Sequence, residues 1–237
     1  MLSAVSLQSL PDGYRALVIG ASGAIGSAFC TLLENDLRCA EVCRLGRQSQ
    51  PALDFFNPQS VADAAQILGG QAPYHLIINA AGMLHSPSCK PEKKLAELDA
   101  QQLLESFQAN TFGPALLLRY FTPLLDKQRG VMLFLSAKVG SISDNRLGGW
   151  YSYRAAKAAL NMLIKTAAVE LARTQPNSVV LAIHPGTVSS ALSAPFSGAR
   201  LGRPAAIAAA EMLRLVDTFD PGTSGSFYAY DGTQLPW

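Results

Sequence analysis

"YRALVIGASGAIGSAFCTLLEND" (residues 14–36) decides the fold, because two periodicities meet in it. Its first seven residues form a short apolar run ending at Gly20, the pattern of a buried strand. From Ala24 onward Ile25, Phe29, Leu32 and Leu33 recur at helical spacing, so the strand turns straight into a helix. The same alternation continues outward along the chain. Further strands are predicted at "AEVCRLG" (40–46), "YHLIINAAG" (74–82), "VMLFLSA" (131–137), "SVVLAIHPG" (178–186) and "GSFYAYDG" (225–232). Between them "SVADAAQIL", "LAELDAQQLLESFQAN", "PALLLRYFTPLL", "YRAAKAALNMLIKTAAVELA" and "PAAIAAAEMLRLV" are helical in pattern. Alternation of this kind predicts an α/β chain with a mostly parallel, doubly wound sheet and helices on both faces. Neither a repeat nor a low-complexity linker divides residues 1–237, so one domain is expected. The most irregular segment is "SSALSAPFSGARLGRP" (189–204), whose Ser, Gly and Pro content suits a loop over a pocket.

The composition removes several classes of function. With 237 residues, 49% hydrophobic and 15% charged, the chain can bury one sizeable core. Nineteen basic and seventeen acidic residues leave a net charge of +2, without the dense basic stripe that nucleic acid requires. No basic residue precedes Arg15 and no apolar run has membrane-spanning length, so a soluble cytoplasmic protein is expected. Cys30, Cys39, Cys43 and Cys89 are too few for a disulfide scaffold and provide no four-ligand metal set, so free thiols and no metal are expected.

In a doubly wound sheet, ligands bind beyond the carboxyl ends of the strands, and three such places carry chemistry. In "GASGAIG" (20–26), Gly20 permits a tight turn, while Ser22, Gly23 and Gly26 let backbone approach a pyrophosphate at a helix N-terminus. The Gly-x-x-Gly-x-x-Gly spacing is by itself compatible with any tight strand-to-helix turn. After the second strand, "RLGR" has no acid to accept ribose hydroxyls and has Arg44 and Arg47 nearby, which favours a 2′-phosphate and hence NADP(H) over NAD. In "YSYRAAK" (151–157), Tyr153 and Lys157 are four residues apart on one helix face, whereas Tyr151 aligns with Ala155. A phenol titrates near ~10 and needs a neighbouring cation to exchange protons at neutral pH, so Tyr153 with Lys157 is the candidate acid/base pair.

On these motifs the chain resembles the short-chain dehydrogenase/reductase family over nearly its whole length. "GASGAIG" matches the family's glycine turn, "NAAG" (79–82) its strand-four motif, Asn110 in "QANTFGP" its asparagine, "YRAAK" its Tyr-x-x-x-Lys, and "HPGTV" (184–188) its Pro-Gly motif. "GSISDNRLGGWYSYRAAKAALN" further resembles the sniffer-like and C-factor-like carbonyl reductases. The resemblance implies a Rossmann fold and an NADP(H)-dependent oxidoreductase acting on a small carbonyl or alcohol. It makes Tyr153 the general acid/base, Lys157 the residue that holds the nicotinamide ribose and lowers the phenol pKa, and Asn110 the support for a water. Asp54 and Phe55 would lie by the adenine, Ile25 by the glycine turn, and Asn79, Ala80 and Gly82 along the floor. Pro185, Gly186 and Val188 would face the nicotinamide.

The family's substrate-orienting serine stands three residues before Gly140, and that position is Ala137 here. Ser136 is taken as its replacement, with Ser141 and Ser143 as the alternatives. Apolar residues nearly surround the helix 154–173, Leu160 and Leu163 on one side and Met162 and Val169 on the other. Together with the resemblance, this predicts a homodimer or homotetramer. Two other readings remain open: a noncatalytic NADP(H)-binding regulator or signalling protein, and a nucleotide-sugar epimerase. Only about fifty residues follow "HPG", which leaves little room for an epimerase's substrate region.

Overall fold

Among the described residues six strands form one sheet: β1 (Tyr14–Ile19), β2 (Cys39–Leu45), β3 (Leu76–Asn79), β4 (Val131–Leu135), β5 (Val179–His184) and β6 (Phe227–Ala229). Their order is β2-β1-β3-β4-β5-β6 and every neighbouring pair is parallel. The computed structural model describes residues 5–86, 90–198 and 201–237. Successive side chains of a strand point to opposite faces. Ala16, Val18, Ile78, Leu133 and Leu181 therefore pack with α1 (Ala24–Glu34) and α6 (Ala205–Val216). Leu17, Ile19, Ile77, Phe134 and Val180 pack on the other face with α2 (Pro58–Gly69), α4 (Gly113–Phe121) and α5 (Tyr151–Thr174). β3 and β4 are buried along their full length, as expected of strands covered on both sides. The strand order reverses between β1 and β3, which opens a crevice at their carboxyl ends.

Residues 95–110, one helix by periodicity, are divided in the structure. Leu95–Glu97 is a 3-10 turn, and α3 (Ala100–Phe107) starts at Asp99, whose side chain accepts from Gln102 N at 2.9 Å. A π turn, Gln108–Phe112, then joins α3 to α4. Pro114 lacks the N–H that would reach back to the carbonyl of Asn110, so the regular ladder has to reset there. Cys30 is buried and Cys39 and Cys43 are half-buried free thiols, while Cys89 lies outside the described residues. Among the described residues no helix is long and apolar enough to cross a membrane.

Candidate active site

The glycine turn after β1 is built by close approach. Gly20 has φ +80°, and a Cβ placed on it would come within 2.7 Å of Ala81 N. A Cβ on Gly26 would meet the Gly20 carbonyl oxygen at 2.1 Å, so α1 seats directly on the turn. Gly23 precedes α1 and no side chain caps that N-terminus, which leaves backbone N–H groups facing the crevice. Ile25 is half-buried against the core behind the turn, and Ser22 is exposed at its tip. Asn79 ends β3 beside them; it is 1% exposed, its Oδ1 accepts from Ala81 N at 3.2 Å, and its Nδ2 has no partner among the described residues. A cradle that admits no side chain, an uncapped helix end and an orphaned buried amide together fit a dinucleotide.

A cleft of about 610 Å3 extends from Ala21 and Ser22 along Arg44, Leu45, Gly46, Arg47, Gln48 and Ser49. The two arginines behave differently. Arg44 makes a two-point ion pair with Glu34, at 2.9 and 2.7 Å, whereas Arg47 is exposed on the cleft wall. Asp54 is half-buried, with its Oδ1 accepting from Phe56 N at 3.0 Å. Phe55 follows it in the chain. Its ring is 7% exposed in the core, where it fills the space a Cβ on Gly113 would take.

The other end of the crevice brings together the predicted acid/base pair. Tyr153 and Lys157 lie on one face of α5, with Lys157 Nζ 5.7 Å from the centre of the Tyr153 ring. Lys157 is 4% exposed and donates to the Leu135 carbonyl at 2.9 Å. Gly82 faces this pair: a Cβ on it would lie 3.1 Å from Asn110 Oδ1 and 3.6 Å from Lys157 Nζ. Asn110, in the π turn, is fully buried and bonds both backbone groups of Met83, accepting at 3.1 Å and donating at 2.7 Å. The widened turn thus presents one amide to the loop after β3. Thr111 Oγ1 donates to the Ala156 carbonyl at 2.8 Å and ties the same turn to α5.

Desolvation pushes the Tyr153 phenol up from its ordinary value and brings the Lys157 ammonium down to about 8. Gly186 has φ +75° and packs against the Tyr230 ring; Pro185 beside it is half-buried, and Val188 is 4% exposed in the core. Ala80 is half-buried next to the glycine turn.

Ser136 directly follows β4. Its hydroxyl is buried and donates to Asn161 Oδ1 at 2.6 Å, one turn of α5 beyond Lys157, so it is already engaged inside the protein. Ser141 is 2% exposed and its Oγ accepts from Asp144 N at 3.2 Å, while Ser143 Oγ donates to the Trp237 carbonyl at 2.8 Å. Above Tyr153 stands an aromatic wall: Trp150 packs against Tyr153 at 6.3 Å and Phe196 at 5.2 Å, and Phe196 against His85 at 5.7 Å. Sequence reasoning passes over Glu92, which lies among Lys90, Lys93 and Lys94 and looks like part of a solvated charge run, yet is 1% exposed beside Ser152.

Residues 14–200 match the family model described as short chain dehydrogenase. The chain is similar to the 1-hydroxy-2-glutathionyl-2-methyl-3-butene dehydrogenase of Rhodococcus sp. strain AD45, with 31% identity over 199 residues covering 84% of each. Among solved structures it resembles NADPH-bound carbonyl reductase from chicken fatty liver (TM-score 0.83, 22% identity, 96% of each chain). It also resembles the carbonyl reductase Sniffer of D. melanogaster (TM-score 0.81, 22% identity, 95% of this chain and 99% of that one).

Proposed function

The chain belongs to the short-chain dehydrogenase family, and from that premise we propose that it is an NADP(H)-dependent carbonyl reductase of the sniffer-like type, with Tyr153 as general acid/base. One observation carries the reading: Tyr153, Lys157 and Asn110 converge with Gly82 at the end of the same crevice whose other end holds the Gly20–Gly26 turn. The glycine turn, Asn79, Arg47, Lys157 and the 185–188 segment would hold the cofactor. When bound, it supplies hydride to a carbonyl carbon or accepts hydride from an alcohol.

The residues of the chain handle the proton. A phenol whose pKa is raised by burial keeps its proton at neutral pH, so Tyr153 Oη is in the donating form for reduction. As the proton passes to the substrate oxygen, negative charge develops on the phenol. Lys157, still largely protonated at pH 7 with a pKa of about 8, is the cation nearest to it. Asn110 fixes the loop after β3 across from Lys157 and so keeps the crevice at its working width. Trp150, Phe196 and His85 give the substrate side an aromatic wall, which suits uncharged, apolar carbonyl compounds.

The test is NADPH oxidation against a panel of aldehydes, ketones and quinones, with Tyr153→Phe and Tyr151→Phe in parallel. Tyr153→Phe is expected to abolish turnover while leaving NADPH affinity nearly intact, and Tyr151→Phe to be mild. A Tyr151→Phe variant that is dead beside an active Tyr153→Phe would reject the assignment.

A further inference from the structure

We propose that Glu92 is a positioning residue for Tyr153, holding the first turn of α5 from a segment sixty residues earlier; this rests on the reading of Tyr153 as the general acid. α5 cannot cap itself. Trp150, the residue before it, takes φ 54° and ψ 43°, and no local side chain accepts from the first turn. An uncapped first turn frays, and here that turn carries Tyr153.

Glu92 supplies the missing acceptors. Its carboxylate accepts from Ser152 N at 3.2 Å and from Ser152 Oγ, and its backbone carbonyl accepts from Trp150 N at 2.5 Å. It is 1% exposed, and among the described residues it has no ion-pair partner. Its carboxylate therefore faces the N–H dipoles at the start of α5. Glu92, Ser106, Ser152 and Tyr153 also border one small void of about 10 Å3, room for a single water at most.

The same anchor sets the aromatic wall. Trp150 is the only non-glycine residue at positive φ among those described, and its ring contacts both Tyr153 and Phe196. Lys157, one turn deeper, is held independently by the Leu135 carbonyl. Loss of Glu92 should thus disorder the proton donor and spare the part of the site that holds the cofactor.

The experiment compares Glu92→Ala, Glu92→Gln and Ser152→Ala with wild type, each corrected for the fraction of NADPH-binding sites, in a Trp237→Phe background so that Trp150 alone fluoresces. Glu92→Ala should lower kcat by about 30- to 300-fold, the scale of a misplaced reacting group. Its NADPH Kd should stay within about threefold, with a shift in Trp150 emission. Glu92→Gln keeps an acceptor for Ser152 N and a donor for Ser152 Oγ, and should restore at least about a tenth of wild-type kcat. A folded Glu92→Ala with wild-type kcat overturns the proposal. Should Glu92→Ala not fold, Ser152→Ala decides: a loss of about three- to tenfold in kcat at unchanged NADPH affinity supports it, and wild-type kcat overturns it. Tyr153→Phe is measured alongside. If that variant turns over normally the functional reading itself fails, whereas a dead Tyr153→Phe beside an unimpaired Glu92→Ala removes only the positioning role.

Discussion

Replacing Gly46 by aspartate should turn the cofactor preference from NADPH toward NADH, and the geometry lets the size be worked out. Gly46 follows β2 at a point where an added Cβ meets nothing within 4 Å, so the new side chain enters the cleft without displacing its neighbours. Two unit charges about 4 Å apart in water repel by about 1 kcal/mol, and a phosphate carries about 1.5 to 2 negative charges. Aspartate at 46 then costs NADPH about 1.5 to 2 kcal/mol, roughly ten- to thirtyfold in kcat/KM, while NADH gains an acceptor for its ribose hydroxyls. Wild type should favour NADPH by about ten- to a hundredfold through Arg47, since charge-assisted bonds of about 1.5 to 3 kcal/mol are reduced by its exposure. Arg44, engaged by Glu34, contributes less. Arg47→Ala should remove most of the preference by weakening NADPH and leaving NADH unchanged, and high salt should act in the same direction because the cleft wall is open to solvent. The assay is kcat/KM for both cofactors on wild type, Arg47→Ala and Gly46→Asp at two ionic strengths. Equal use of NADH and NADPH by wild type, or an unaltered ratio in Arg47→Ala, would refute the reasoning.

Burial lowers the Lys157 pKa from 10.5 to about 8, so between these values the unfolded chain binds more protons than the native one and native stability rises with pH. That rise should total about 3 kcal/mol in cofactor-free protein. Denaturant titrations from pH 7 to 10.5 should show it as the difference between wild type and Lys157→Met, because burial raises the Cys30, Cys39 and Cys43 thiols and costs both proteins stability in the upper part of that range; Lys157→Met should be more stable at pH 7 and inactive. Ser136→Ala should cost about 1 to 3 kcal/mol, because the acceptor Asn161 Oδ1 is left unpaired inside the protein, and should change turnover by less than about tenfold. A crippled enzyme with an unchanged Tm would restore Ser136 to the substrate. For association, Met162, 66% exposed, and Val169, 47% exposed, form an open apolar strip on α5, and we propose this strip as the contact between subunits. Met162→Glu should convert dimer or tetramer to monomer in sedimentation, and a wild-type chain that sediments as a monomer would end the idea. Leu160, on the other side of the helix, is fully buried in the core, so a charge there would unfold the chain instead.

Periodicity is local, and what depends on it was legible from the residues. All six strands and the helices around them follow from apolar spacing and the placing of Gly and Pro, and the i, i+4 relation of Tyr153 to Lys157 needs only a helix. The glycine turn was equally plain, because a backbone at φ +80° wedged against Ala81 excludes every side chain. The division of residues 95–110 was less so. Asp99 as a cap and Pro114 as an interruption are visible in the sequence, but Leu103, Leu104 and Phe107 keep the helical pattern running past the first, and Leu117, Leu118 and Phe121 past the second.

Where a polar group's partner lies far along the chain, spacing carries no information about it. Ser136 and Ala137 are neighbours on paper, and only the packing of β4 under α5 directs the Ser136 hydroxyl to Asn161. Arg44 and Arg47 are equivalent in a string of letters until α1 brings Glu34 to one and not the other. Glu92 looks like one more charge among lysines, and the fold buries it against the first turn of α5. The amino-acid sequence by itself determined the doubly wound sheet, its glycine turn and the tyrosine-lysine pair, because each is set by neighbours within a few residues. The tertiary structure alone decided which serine, arginine and glutamate are engaged inside the protein, because desolvation and long-range hydrogen bonds exist only once distant segments are packed together.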